Sequence, residues 1–152
     1  MAKRPKKTKA APVPRLFPEL PVPVKPLKSH KTEVEAYEFI RQQLRELGWI
    51  VRSPHSRLGG QVWTQNECFA HPEIRRAFGQ VRPENIVKLS ESRVWVIEAK
   101  ANRKDLPIAL SEAKDFYCKK INEQKGSLGA VLATGVAGTE DHHYSIIESR
   151  II

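Results

Sequence analysis

The feature that most constrains the fold is an apolar run, "RVWVIEAK" at residues 93–100, that ends in two charged side chains. Its centre, "VWVI", is a short continuous apolar stretch, which is typical of a buried strand. Just before it, "ENIVKL" carries a second apolar run, and "SES" lies between the two runs. Two such runs joined by turn residues predict a β-hairpin with arms at residues 86–89 and 93–99.

A helical pattern precedes the hairpin, in "KTEVEAYEFIRQQLRELGW". Thr32 and Glu35 have the spacing of a capping box, and Gly48 stands where a helix stop is expected. Five apolar residues recur at helical spacing on one face: Ala36, Tyr37, Ile40, Leu44 and Leu47. This pattern predicts a helix over residues 33–47.

The other segments predict further short elements. Residues 49–51 and 61–63 have strand-like composition, and residues 72–78 have helical composition. After the hairpin, "KDLPIALSEAKDFYCKKIN" predicts a helix that Asp105 caps, with proline in its first turn. "SLGAVLATG" and "HYSIIESRII" predict two more strands. The order of helix, hairpin, helix and strand predicts an α/β sandwich with a mixed central sheet flanked by helices.

The first 30 residues differ from the rest in composition. They contain seven of the 11 prolines, and their charged residues account for +7 of the formal net charge of +9. Proline lacks a backbone N–H and prevents regular hydrogen-bonded structure. We therefore predict a disordered basic Pro-rich arm over residues 1–30 and one domain over residues 31–152. The arm either touches DNA phosphates or acts as a solubilising linker.

Other features limit the setting of the protein. No apolar stretch is long enough to span a membrane, and the basic N-terminus lacks the apolar core of a secretory signal. Cys68 and Cys118 are far apart and match no paired metal-ligand spacing. We expect a cytoplasmic protein. Because the last strand-like run meets the chain end without a loop or cap, one interpretation is that the domain is truncated at its C-terminus.

The charged residues around the hairpin suggest a chemistry. Side chains alternate along a strand, so Glu98 and Lys100 share a face, and Glu84 opens the partner arm. Two close carboxylates favour a cation between them, and their oxygens suit Mg²⁺ or Mn²⁺. The lysine adds a positive charge for the attacking hydroxide. The set predicts metal-dependent hydrolysis of phosphodiesters, unless Glu98 and Lys100 are only a solvated strand end.

These residues also carry a resemblance to a known family. "PE" at residues 83–84 and "EAK" at residues 98–100 resemble the PD-(D/E)xK nuclease motif. "TEVEAYEFIRQQLRELGW", "GGQVWTQNEC" and "ALSEAKDFYCKKIN" resemble the nuclease region of restriction–modification enzymes, in which the nuclease works with an N-6 adenine DNA methylase. The nuclease domain of type I restriction subunits is similar too. The resemblance covers residues 32–140 and implies a restriction-endonuclease-like fold and Mg²⁺-dependent cleavage of DNA.

The resemblance also implies roles for single residues. Glu84 and Glu98 would hold the metal, and Lys100 would orient or activate the nucleophile. Glu33 matches an acidic position that assists the metal, although an acid in a first helical turn also suits the helix dipole. The Gln-x-x-x-Tyr element of type I nuclease domains is not kept, because Glu112 and Phe116 stand at the positions of its glutamine and tyrosine.

The expected partners follow from the same resemblance. They are DNA, and either a methylase and specificity subunit or the remainder of a larger polypeptide. Arg103 and Lys104 could contact DNA phosphates, as could Arg75 and Arg76, but solvated charge is the other interpretation. The alternative function is a catalytically inactive DNA-binding or scaffolding remnant that docks on a methylase. Action on RNA is chemically equivalent.

Overall fold

A computed structural model describes residues 34–138 and 146–152 of the chain. Within these ranges the protein is a mixed five-stranded β-sheet with helices on both faces. The predicted arm over residues 1–30, the Thr32 cap and Glu33 lie outside the described residues. None of the described helices is long and apolar enough to cross a bilayer.

Helices and strands are interspersed along the described part of the chain. The helices are α1 (Val34–Glu46), α2 (Pro72–Phe78), α3 (Leu106–Ser111) and α4 (Lys119–Glu123). The strands are β1 (Val62–Thr64), β2 (Asn85–Lys88), β3 (Arg93–Lys100), β4 (Gly129–Ala137) and β5 (Ile146–Ile151). A π-helical segment, Glu112–Cys118, joins α3 to α4 without a break, and two 3₁₀ turns span Glu67–Ala70 and Arg103–Asp105.

The sheet has the strand order β1-β2-β3-β4-β5. Its pairs are antiparallel except for β3 and β4, which are parallel. Parallel neighbours need a crossover connection, and the continuous helix of α3, the π-helical segment and α4 supplies it. The predicted mixed sheet flanked by helices is therefore confirmed.

Each face of the sheet has its own apolar core. On one face Val94 and Val96 pack with residues of α2, the π-helical segment and α4, and we call this the crossover face. On the other face Ile97 and Ala99 pack against α1, and we call this the α1 face. The predicted alternation along β3 is confirmed, because Val94 and Val96 lie on the crossover face whereas Ile97 and Ala99 lie on the α1 face.

The parallel ladder between β3 and β4 contains one irregularity. Val94 pairs with Ala130. The next residue, Trp95, pairs with Leu132, so Val131 is an extra residue in β4. A bulge of this kind locally reverses the alternation of side chains between the two faces of the sheet.

Several predicted elements are confirmed at nearly their predicted bounds. The hairpin of β2 and β3, the helix at residues 72–78 and the first helix all form. Gly48 follows α1 with a φ of +88°, a left-handed conformation that favours glycine and ends the helix. The strand predicted at residues 61–63 begins one residue later.

Three local predictions are wrong. Residues 49–51 form no strand, because the Ile50 carbonyl accepts bonds from the N–H groups of Arg52 and Gln61 and the segment folds back on itself. Leu47 is 69% exposed, since α1 ends one residue before it and Leu47 lies in the turn. Asp105 precedes α3 but makes no side-chain cap bond, and its carboxylate instead accepts a bond from Asn102.

Candidate active site

The register of the hairpin brings the two predicted acids together. Asn85 pairs with Ile97, so one residue further along the ladder Glu84 lies opposite Glu98. The Glu84 backbone N–H donates to Glu98 Oε2 at 3.3 Å, although the two residues are 14 apart in sequence. Both side chains are buried, with exposed fractions of 7% for Glu84 and 5% for Glu98. The structure thus places both carboxylates at one end of the hairpin.

Ionisation of Glu98 is opposed by its surroundings. Burial raises its pKa most, the Glu84 carboxylate raises it further, and Lys100 acts in the opposite direction. The resulting pKa is about 8. A buried acid with a second acid beside it keeps its proton, and so stays neutral, unless a nearby cation compensates the negative charge of its ionised form.

Lys100 shares the crossover face with Glu98, as predicted. Its Nζ lies 3.9 Å from Glu98 Oε1 but only 2.7 Å from Glu112 Oε2. Its side chain is 22% exposed, so the ammonium group is partly shielded from water. The shorter of the two ion pairs is the one with Glu112, at the first residue of the π-helical segment.

Close contact between α3 and β4 brings Glu112 to Lys100. Gly135 of β4 pairs with Glu98, and a Cβ at this glycine would lie 2.5 Å from the backbone nitrogen of Leu110. Only a residue without a side chain allows the helix to lie this near the strand. Two residues after Leu110, Glu112 comes within reach of the lysine.

The π-helical segment also anchors the chain that leads to Glu84. The Tyr117 hydroxyl donates to the Arg82 carbonyl at 2.8 Å, and its ring packs edge-on against Phe78. Burial, and then the charge of Glu98, raise the pKa of Tyr117, so it stays a neutral donor. Wide π-helical turns are rare and frequently occur at functional sites.

The turn after β1 contributes a further contact. The Gln65 amide Nε2 donates to Glu84 Oε1 at 2.9 Å, although the residues are 19 apart in sequence. Asn85, beside Glu84, points instead to the α1 face by strand alternation. It is buried, and its Oδ1 has no hydrogen-bond partner within the described part of the chain.

Arg103 and Lys104 are exposed in the 3₁₀ turn just after β3, near the end of the strand that carries Lys100. Cys68 and Cys118 are free thiols and both are buried. Among residues 34–138 and 146–152, no three His, Cys, Asp or Glu side chains form a ready-made metal site.

Sequence reasoning assigned no role to two residues of the site, Glu112 and Gln65. Glu112 precedes Ala113, which lies on the apolar face of the predicted helix, so a weak signal for its inward position was present. Gln65 gave no signal, because it lies in an irregular turn and its contact with Glu84 depends on the tertiary fold. Helical and strand periodicity carry no information on such contacts.

The chain matches no protein-family model, no curated protein and no solved structure.

Proposed function

We propose that the chain is a metal-dependent nuclease domain with a restriction-endonuclease-like fold, which hydrolyses DNA phosphodiester bonds within a restriction–modification system. One observation carries the proposal. Two buried carboxylates, Glu84 and Glu98, meet at the end of a hairpin with Lys100 on the same sheet face. The order of helix, hairpin, crossover helix and strand around them supports it.

The residues present fit a hard divalent cation. Ionising two adjacent buried carboxyl groups is energetically unfavourable, and the raised pKa of Glu98 reflects this. Glu84 and Glu98 would hold Mg²⁺ or Mn²⁺, with Glu33 as a further acid. Magnesium keeps several waters and accepts phosphate oxygens, which suits a site with few protein ligands. When bound, it would supply Lewis-acid polarisation of the phosphate and a more acidic water.

Other side chains of the chain have positional and electrostatic roles in this proposal. Lys100 places a positive charge beside Glu98, where it would stabilise negative charge developing on the phosphate. The Gln65 amide orients the Glu84 carboxylate. Tyr117 fixes the backbone two residues before Glu84. Partial burial strengthens each of these interactions, because less water screens them.

The proposal includes a setting and partners. The substrate is DNA, and Arg103 and Lys104 would contact phosphates beyond the end of β3. A methylase and specificity subunit, or the remainder of a larger polypeptide, would direct the domain to its site. A cytoplasmic location, where such systems meet DNA, belongs to the same proposal.

Nicking of supercoiled plasmid tests the proposal. The purified chain is incubated with Mg²⁺, with Mn²⁺ or with EDTA, alone and with a companion methylase and specificity subunit. We expect metal-dependent nicking that Glu98→Gln reduces by about a hundredfold or more. Glu91→Gln is the matched control, since Glu91 is an exposed acid in the turn of the same hairpin, paired with Lys88. Equal nicking by Glu98→Gln and wild type would contradict the proposal.

One observation favours a second candidate, an inactive DNA-binding or scaffolding domain that docks on a methylase. Lys100 lies nearer to Glu112 than to Glu98, so its charge is already compensated by a residue outside the motif. Such a domain would bind DNA but leave the plasmid intact with either metal. A third candidate function is a ribonuclease. The same reactions with RNA as substrate distinguish it from the DNA nuclease and from the inactive domain.

A further inference from the structure

The charge of the candidate site raises a question about DNA binding. Lys100 pairs with Glu98 and Glu112, and the charge of Glu84 acts on Glu98 as well, so three acids share the site with one lysine. A polyanion is repelled by such a cluster unless neighbouring surface supplies positive charge. We therefore looked for positive charge on the surface that adjoins the site through the turn after β1.

A fixed arginine lies on this adjoining surface. Asn66 follows Gln65, and its Oδ1 accepts a hydrogen bond from the Arg82 guanidinium. The same guanidinium lies over the ring of Phe69, with Cζ 4.7 Å from the ring centroid. Hydrogen bonding and cation–π contact together fix the orientation of Arg82. Arg82 is two residues before Glu84 in the chain, and its guanidinium group lies beside the turn that contains Gln65.

Phe69 also lines a groove on this surface. It has a volume of about 420 Å³ and is lined by Phe69, Ala70, Pro72, Arg75 and Arg76. Arg75 and Arg76 are exposed on α2. Within the described ranges, neither arginine is ion-paired with an acid. The groove lining thus combines two positive charges with an aromatic ring.

The acids of this region are engaged elsewhere. The Glu67 carboxylate accepts bonds from the backbone N–H and the hydroxyl of Thr64. The Glu73 carboxylate accepts bonds from Ser127 and from the Leu128 N–H. Neither carboxylate lines the groove. The arginines of the groove therefore keep their positive potential for an external anion.

We propose that Arg75, Arg76 and Arg82 form an arginine surface that binds the sugar–phosphate backbone of duplex DNA beside the bond held at Glu84 and Glu98. That this bond is the phosphodiester to be cleaved rests on the proposed function. Guanidinium groups present paired N–H donors that match phosphate oxygens. Contacts of this kind position a duplex without reading its sequence. The arginine surface would thus offset the acidic cluster and set the register of the backbone in the site.

The salt dependence of DNA binding tests the arginine surface. Affinity of the full chain for a labelled duplex is measured in EDTA over a series of salt concentrations. Each lost phosphate contact should lower the slope of log K against log salt by about 0.9, so Arg75→Ala with Arg76→Ala should lower it by about 1.8. Arg41→Ala with Arg45→Ala is the matched control, because α1 packs on the opposite face of the sheet. The basic N-terminal arm is present in every variant and contributes equally.

A second pair of variants guards against loss of folding. Arg75→Lys with Arg76→Lys keeps the charge and should restore most of the slope, and thermal melting confirms that each variant folds. An unchanged slope in the alanine pair, or an equal loss in the α1 control, would overturn the inference. Absence of binding by wild type, or binding of RNA but not of DNA, would overturn it as well.

The outcomes for the surface and for the nuclease can be told apart. Binding in EDTA does not require cleavage. If the alanine pair weakens binding but wild type never nicks plasmid, the arginine surface stands and the nuclease proposal fails. If wild type nicks plasmid and the alanine pair binds and nicks equally well at every salt concentration, the nuclease stands and the arginine surface fails.

Discussion

At Glu98, burial and a second carboxylate both oppose ionisation, while the nearest ammonium group is closer to Glu112. A cation bound beside Glu98 would therefore favour its ionised form and lower its pKa. Three of these residues, Glu84, Glu98 and Lys100, belong to the predicted motif. Glu112 reaches the same place from a different element, so the properties of the motif residues depend on a side chain outside it.

The raised pKa of Glu98 predicts an unusual dependence of stability on pH. Its pKa is about 8 in the folded protein, against 4.5 for an ordinary glutamate. The folded protein binds this proton more tightly than the unfolded chain does. The stabilising contribution is therefore complete below pH 4.5 and is lost as the pH rises through 8.

Glu98→Gln should remove this dependence. Between about pH 5 and about pH 9 without metal, the unfolding free energy of the variant should rise relative to wild type, by on the order of a few kcal/mol. Denaturant unfolding in EDTA at both pH values measures the difference. Glu91→Gln, at the exposed turn, should follow wild type throughout. Parallel pH dependences for wild type and Glu98→Gln would disprove the assignment of the shift to Glu98.

Lys100 should matter for the chemical step more than for the fold. Lys100→Ala should keep the fold but lose about a hundredfold or more in cleavage rate, the scale for one electrostatic stabiliser. Lys100→Arg should not restore the rate, because a planar guanidinium places its charge differently. Lys119→Ala is the control, since Lys119 is an exposed residue of α4 paired with Glu123. Plasmid nicking at the wild-type rate by Lys100→Ala would exclude this role.

Residue positions were predictable where local geometry decided them. Strand alternation placed Glu98 and Lys100 on one face, and the hairpin brought Glu84 near them. The ion pair with Glu112 was not predictable, because it depends on how closely α3 approaches β4. The same holds for Gln65, whose turn has no regular hydrogen-bonding pattern to predict. Sequence patterns thus predicted that Glu84, Glu98 and Lys100 lie together, but not the contacts that Gln65 and Glu112 make with them.

At the scale of elements, the site depends on the packing of α3 against β4. Gly135 allows the helix backbone to approach the strand at a point beside Glu98. The helix itself was predicted as one continuous element, whereas the structure has a π-helical segment at its centre. Apolar spacing does not distinguish these two forms over so few turns. The wider turns nevertheless decide where Glu112 and Tyr117 point.

Two glycines of β4 allow a matched test of this packing. Gly135→Ala should destabilise the protein by about 1–3 kcal/mol, because its Cβ would overlap the backbone of Leu110. Gly129→Ala should be neutral or slightly stabilising, since its nearest neighbour would be 3.8 Å away. Denaturant unfolding compares the two. Equal effects of both substitutions would show that α3 can move away from β4 at little cost.

At the scale of the molecule, one mixed sheet brings together parts of the site from three connections. The hairpin supplies the acids, the crossover helix supplies Glu112, and the turn after β1 supplies Gln65. Fold class and hairpin pairing followed from the sequence. The bulge in β4 did not, because an extra residue leaves the apolar composition of the strand unchanged.

Metal binding should be visible in the stability of the whole chain. If Glu84 and Glu98 hold the ion in the folded state only, Mg²⁺ or Mn²⁺ should raise the melting temperature. At a hundredfold excess over Kd, the free energy of unfolding should increase by about 2.7 kcal/mol. Glu84→Gln with Glu98→Gln should abolish the rise. The exposed pair Glu91→Gln with Glu123→Gln should retain it. An equal rise in both double variants would place the metal elsewhere.

The bulge at Val131 has a consequence for how the length of the chain can vary. Every pair from Trp95 and Leu132 onward keeps its register whether or not Val131 is present. Loss of this residue would cost the hydrogen bond that its carbonyl accepts from Ile152 but would leave Gly135 beside Glu98. A deletion of Leu132 is equivalent, because Val131 then takes its place opposite Trp95. A deletion from Ala133 to Gly135 would instead move the residues between the bulge and the gap to the opposite face of the sheet, or shift the rest of β4 past β3. In relatives of this chain, single-residue gaps in β4 should therefore fall at Val131 or Leu132.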